Sequence, residues 1–168
     1  MSGKAVFFDR DDTLIHDSHY MYKKEQLNFI DGVFDVLKKI QDAGYQLFIF
    51  SNQSGIGRGY FTEAQMHEFH SHMEKGFQEH GISFTEIIYC PHDPTQTDCD
   101  CRKPEPKLLI EACEKYKLDP KQCFMVGDRI TDAQAGERAG MTSITLNCDY
   151  KNNISKLEDI FEFIPLKD

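Results

Sequence analysis

The run Ala5-Val6-Phe7-Phe8 contains no polar residue and leads straight into Asp9-Arg10-Asp11-Asp12-Thr13. An apolar stretch of that length, closed by an acidic turn, reads as a buried strand. Along a strand alternate side chains point the same way, so Asp9 and Asp11 share one side of the chain as it leaves the sheet. Open parallel sheets build their sites at the carboxyl ends of their strands. An acidic turn alone is weak evidence, since such runs also cap helices. It gains weight from the motifs that follow it.

Further short apolar runs alternate with helical patterns, which predicts an α/β fold with a doubly wound, mostly parallel sheet. Strands are expected over Ala5–Phe8, Gln46–Phe50, Glu86–Tyr89, Cys123–Val126 and Ser143–Leu146. Helices are expected from about Gly32 to Ala43 with Asp31 as cap, from Thr62 to near His80-Gly81, and from after Pro106 to before Asp119-Pro120. A shorter one covers Thr131 to Ala139, and a closing helix follows Ser155. Thr62-x-x-Gln65 has the form of a capping box, and Met66, Phe69, Met73 and Phe77 form one apolar stripe behind it. Nothing marks a second domain, so residues 1–168 are expected to act as one unit.

The balance of charge is −9 over 168 residues. That argues against a binder of nucleic acid, which usually carries a basic face. No apolar run has the length of a membrane span or signal peptide, so no membrane partner and a cytoplasmic location are expected. Six cysteines without an export signal read as reduced thiols.

Aspartate can attack phosphorus and form an aspartyl-phosphate, which makes Asp9 a candidate nucleophile and Asp11 a candidate acid/base. Two carboxylates repel a phosphate, so a cation is required, and Mg²⁺ suits oxygen ligands. Gly127-Asp128 follows an expected strand and brings a third carboxylate to the same edge. Asp132 either joins it or caps the next helix. Ser51-Asn52-Gln53, with Ser54 after it, could hold phosphoryl oxygens. The glycines at 55, 57 and 59 match no nucleotide-binding pattern and read as a flexible loop on the substrate side.

Cys90-Pro91-His92 and Cys99-Asp100-Cys101 supply three thiolates and one imidazole, a set that suits a structural Zn²⁺ with no open position. Arg102-Lys103 follows at once. Lys103 could offset phosphoryl charge and Arg102 could clamp a second anionic group. Cys113, Cys123 and Cys148 read as small core residues. His67, His70 and His72 read as surface residues, and His16 and His19 as loop residues near the acidic turn.

The order Asp-x-Asp-x-Thr, Ser-Asn, Lys, Gly-Asp resembles the haloacid dehalogenase superfamily. The Arg of the first motif, the Cys-x-His…Cys-x-Cys loop and Cys-Arg-Lys-Pro resemble its small zinc-containing branch of heptose bisphosphate and histidinol-phosphate phosphatases. The likeness covers Ala5 to about Leu146. It implies a Rossmann-type fold with a minimal cap and a zinc-stapled loop, acting as a monomer on a small phosphorylated substrate. It also implies Mg²⁺ held by Asp9, the backbone carbonyl of Asp11, and Asp128, with Ser51 and Lys103 on the phosphoryl group. Arg102, Arg129, Asp17 and Tyr20 would meet the rest of the substrate. Asn52-Gln53-Ser54-Gly55-Ile56-Gly57-Arg58-Gly59 and Phe29-Ile30-Asp31-Gly32-Val33 favour the 7-phosphate of D-glycero-D-manno-heptose 1,7-bisphosphate. Six residues between His92 and Cys99 instead favour histidinol phosphate. A zinc-stapled binding module without turnover is a third reading, against which the Asp9/Asp11 pair speaks.

Overall fold

Strand β1 (Gly3–Phe8) divides its apolar side chains between two layers. Val6 and Phe8 pack into one hydrophobic cluster, Ala5 and Phe7 into another. This is the period of two that a strand buried on both faces must show. The computed structural model describes residues 2–167. Within them β1 lies third in a six-stranded sheet of order β3-β2-β1-β4-β5-β6. The other strands are β2 (Gln46–Asn52), β3 (Glu86–Cys90), β4 (Leu118–Gly127), β5 (Thr142–Leu146) and β6 (Asn153–Ile154). Every neighbouring pair is parallel.

Helices α1 (Val33–Asp42) and α3 (Glu63–Gln78) cover one face, α4 (Lys107–Tyr116) and α5 (Ile130–Arg138) the other. The stripe Met66, Phe69, Met73 and Phe77 is the buried side of α3. The expected capping box forms there: Gln65 N–H donates to Thr62 Oγ1 (3.1 Å) and Thr62 N–H to Gln65 Oε1 (2.9 Å). Strand order runs to β2 and β3 on one side of β1 and to β4, β5 and β6 on the other, so the connection after β1 and the connection after β4 turn to opposite faces and open the crevice where such sheets take ligands. Asp9 N–H bonds to the Val126 carbonyl (2.8 Å), which pins the first acidic residue beside the end of β4.

Several local expectations are corrected. The cap position of α1 is Gly32 at φ 80°, with no side-chain cap bond, so Asp31 does not cap it. Strand β4 begins at Leu118, because Lys117 at φ 54° ends α4 early and lets the chain pair with Gly3. The closing segment after Ser155 is a 3₁₀ stretch, Leu157–Glu162, whose Leu157 and Ile160 plug the core. Strand β6 has two residues, too few to leave a periodic signal. Among the described residues no helix is long and apolar enough to cross a membrane.

Candidate active site and metal loop

A cavity of about 940 Å³ opens at the carboxyl ends of β1, β2 and β4. Its floor is a cluster of titratable groups. Lys103 is 3% exposed, and its ammonium meets Asp9 Oδ1 at 2.8 Å, Asp132 Oδ1 at 2.7 Å and the Phe50 carbonyl at 2.7 Å. Three acceptors satisfy its three donors. Lys103 N–H also donates to Asn52 Oδ1 (3.1 Å), so β2 fixes both ends of this residue. Asp132 caps the start of α5, where Arg129 N–H donates to its Oδ2 (3.1 Å), and its other oxygen holds Lys103. Gly127 makes this approach possible, since a Cβ there would lie 2.3 Å from Asp132 Oδ2.

Carboxylate oxygens of Asp9, Asp128 and Asp132 lie within 4.8 Å of one another. Burial, and then the charge of Asp132, pushes the Asp9 carboxyl above its usual range despite Lys103. Burial and the neighbouring Asp9 push Asp128 up to about 8. Burial opposes the Lys103 charge, but Asp132 and Asp9 outweigh it and hold the ammonium above its ordinary value. One lysine does not neutralise three crowded carboxylates. Asp128 Oδ1 is moreover buried without a hydrogen-bond partner. Both observations fit a divalent cation among these oxygens.

Asp11 also lines the cavity, but its carboxylate pairs with Arg10, at 2.6 Å from Nε and 3.2 Å from Nη2. Asp12 adopts φ 58°, a conformation glycine would take more readily, and its Oδ1 accepts from Asp17 N–H (2.9 Å). That bond closes the loop carrying Asp17, His19 and Tyr20 to the cavity wall. Gln53, Ser54, Arg102 and Arg129 line the wall as well, and Arg102 Nη1 is buried without a partner. Ser51 is buried behind the lining, where its Oγ accepts from Gln53 Nε2 (2.6 Å).

The glycine loop is not flexible packing-free chain: Ser54–Gly57 is a helical turn, α2. A Cβ on Gly57 would sit 2.5 Å from Asp93 N and 2.9 Å from the Pro91 carbonyl, which accepts from Gly57 N–H (2.9 Å). Only glycine lets this turn dock on the next loop, where Cys90, His92, Cys99 and Cys101 converge. His92 Nδ1 lies 3.5 Å from Cys90 Sγ and 3.2 Å from Cys101 Sγ, while Cys90 Sγ lies 3.6 Å from Cys99 and 2.8 Å from Cys101. All six cysteines are free thiols. Burial raises the Cys90 and Cys101 thiols, and the neighbouring sulfurs raise Cys101 further. Burial also raises Cys99, but Cys101 N–H, the Cys90 thiol and Arg102 N–H outweigh it and bring it down to about 7. Sulfur ligands this close, in a segment without helix or strand between Cys90 and Lys107, could bind a metal ion.

Two bland expectations fail. His70 is 3% exposed rather than a surface residue, with Nε2 3.1 Å from Arg10 Nη1. Its apolar flanks on the α3 stripe were the available signal. Cys148 is half-buried and lines the cavity, whereas Cys113 and Cys123 are in the core.

The haloacid dehalogenase-like hydrolase family model matches residues 11–146. The chain is 42% identical over 139 residues to the D-glycero-beta-D-manno-heptose-1,7-bisphosphate 7-phosphatase of Haemophilus influenzae, covering 80% of this chain and 76% of that one. It is 35% identical over 174 aligned residues to the corresponding alpha-heptose phosphatase of Campylobacter jejuni, covering 100% and 99%. Among solved structures, the D,D-heptose 1,7-bisphosphate phosphatase of B. bronchiseptica, complexed with magnesium and phosphate, superposes with a TM-score of 0.86. There the identity is 25%, with 95% of this chain and 96% of that chain covered.

Proposed function

This chain belongs to the haloacid dehalogenase-like hydrolase family, and from that membership we propose that it is a phosphomonoesterase that removes the 7-phosphate of D-glycero-D-manno-heptose 1,7-bisphosphate. The single observation that carries the reading is Asp9 at the β1–β4 switch point, held by Lys103 and crowded by Asp128 and Asp132. The named relatives supply the substrate class.

Lys103 grips one oxygen of Asp9 and so sets the direction of the other, which attacks phosphorus. The bond between phosphorus and the sugar oxygen breaks, and Asp11 gives that oxygen its proton. Asp11 then takes a proton from water, whose oxygen displaces Asp9 from the aspartyl-phosphate and frees inorganic phosphate. Lys103 offsets phosphoryl charge in both displacements. Gln53 and Ser54 stand at the wall nearest α2 to receive phosphoryl oxygens, with Ser51 bracing Gln53. Arg102, with a buried donor to spare, and Arg129 face the anionic remainder of the substrate. Asp17 and Tyr20 border the sugar. Mg²⁺ held by Asp9, Asp128 and the Asp11 carbonyl would neutralise phosphate charge and allow both carboxylates to stay ionised. Zn²⁺ bound by Cys90, His92, Cys99 and Cys101 would be structural, fixing the loop that delivers Arg102 and Lys103. The working form is a cytoplasmic monomer.

The test is phosphate release with Mg²⁺ from each anomer of heptose 1,7-bisphosphate and from histidinol phosphate, with Asp9→Asn as control. Preference for a bisphosphate, lost in the variant, is expected. Release unaffected by Asp9→Asn would end the phosphatase reading. Preference for histidinol phosphate would move the assignment to that ester, as the short segment between His92 and Cys99 favours.

A further inference from the structure

Arg10 is 1% exposed, and among the described residues its carboxylate partner is Asp11. A buried guanidinium is stable only when its donors are used. Nε and Nη2 go to Asp11, while Nη1 goes to His70 Nε2 at 3.1 Å. The ring of Phe69 lies beneath the guanidinium carbon at 5.1 Å. Arginine can only donate, so His70 Nε2 must accept and the ring carries its proton on Nδ1. Burial, then the charge of Arg10, holds His70 down to about 3, so it stays a neutral acceptor at neutral pH. Helix α3 therefore reaches across the layer to grip the side chain that in turn grips Asp11.

We propose that His70 is a positioning residue for the reaction: by accepting from Arg10 it fixes the guanidinium, and through it the carboxylate of Asp11 that exchanges protons with the leaving oxygen. Phe69 supports the same guanidinium from below. This rests on the phosphatase reading above and adds to it a dependence on a helix that lines no wall of the active cavity. Without the acceptor, Arg10 is left with a buried unused donor and turns to find another, carrying Asp11 away from the leaving oxygen. His70 and Phe69 lie outside the cavity lining and reach it only through Arg10 and Asp11. The loss should therefore scale with how much the departing oxygen needs a proton.

The experiment compares an alkyl phosphate, heptose 1,7-bisphosphate or histidinol phosphate, with p-nitrophenyl phosphate, whose phenolate leaves with little need of protonation. For His70→Leu, kcat/KM is expected to fall about tenfold on the alkyl phosphate, part of what a positioned acid contributes, and to stay within about twofold on the aryl ester. His70→Gln restores an acceptor and should recover to within about threefold. Arg10→Lys, which cannot serve both partners, should repeat the leaving-group-dependent loss and keeps the test valid where His70→Leu fails to fold. Equal losses on both esters, or a glutamine variant as impaired as the leucine one, would overturn the proposal while leaving the phosphatase reading intact. Absence of turnover by the wild type on every ester would overturn both.

Discussion

Four side chains meet at the end of β1 and four more meet between β3 and α4, and opposite means hold them. Asp9, Asp128 and Asp132 gather where the sheet and α5 bring them, against their mutual repulsion, and Lys103 reaches them from the loop after Cys101. Cys90 ends β3, and His92, Cys99 and Cys101 join it from a segment without helix or strand, where ligand chemistry could add to the docking of Gly57 on Pro91. In the first region the fold imposes a costly arrangement, and a cation would relieve it. In the second a cation would impose the fold. The two are joined by one residue, Arg102, between Cys101 and Lys103.

The sharpest way to break this contrast is Lys103→Met. It leaves Asp9 and Asp132 without their partner in a buried setting, and stability should fall by about 3–5 kcal/mol, with phosphate release lost. Denaturant titration and a turnover assay check it. A stable, active variant would mean that the carboxylates are not held by Lys103 at all.

Next in size is Cys99→Ser with Cys101→Ser. Elemental analysis should find about one zinc per wild-type chain and none in the double variant, with on the order of 3 kcal/mol of stability lost with the metal. The far-ultraviolet dichroism should persist, because the sheet does not depend on this loop. Full metal content in the variant would remove the second half of the comparison.

A smaller effect separates the two cation roles. In the folded chain burial and the neighbouring Asp9 push Asp128 up to about 8, from an ordinary 3.8. Between those values the folded carboxyl holds a proton that the unfolded one has released, which lowers stability as pH rises; below about 6.5 the buried neutral His70 works in the opposite sense, so the decline should be read between about 6.5 and about 8. Melting temperatures in Mg²⁺-free buffer should show this decline, and added Mg²⁺ should flatten it. A flat profile without Mg²⁺ would mean the carboxylates are not in conflict. The smallest change lies outside both regions: Thr62→Ala removes the cap bond of α3 and should cost about 1 kcal/mol, visible as a small shift in the denaturation midpoint.

How much of this was legible beforehand follows the same division. The Cys-x-His and Cys-x-Cys pairs could be grouped because ligand spacing is local. Asp9 and Asp128 could be placed because each follows an apolar run that reads as a strand. Lys103, 94 residues from Asp9, was reachable only through the order of motifs. The partner of Arg10 was not reachable, since a histidine 60 residues away on an apolar stripe carries no signal of what it touches. The closing segment kept an apolar pattern, but its pattern could not distinguish a 3₁₀ stretch from a helix. Asp31 failed as a cap because Gly32 supplied a left-handed turn in its place.

The cavity's floor and its rim also belong to different parts of the molecule. Asp9, Lys103 and Asp132 are buried among strand ends, while Tyr20, Arg129 and Ile130 are exposed. A mutation below is therefore felt by the whole sheet, and one above by little more than the visitor. Substitutions along the rim can therefore exchange one phosphate ester for another while the chemistry of the floor stays in place.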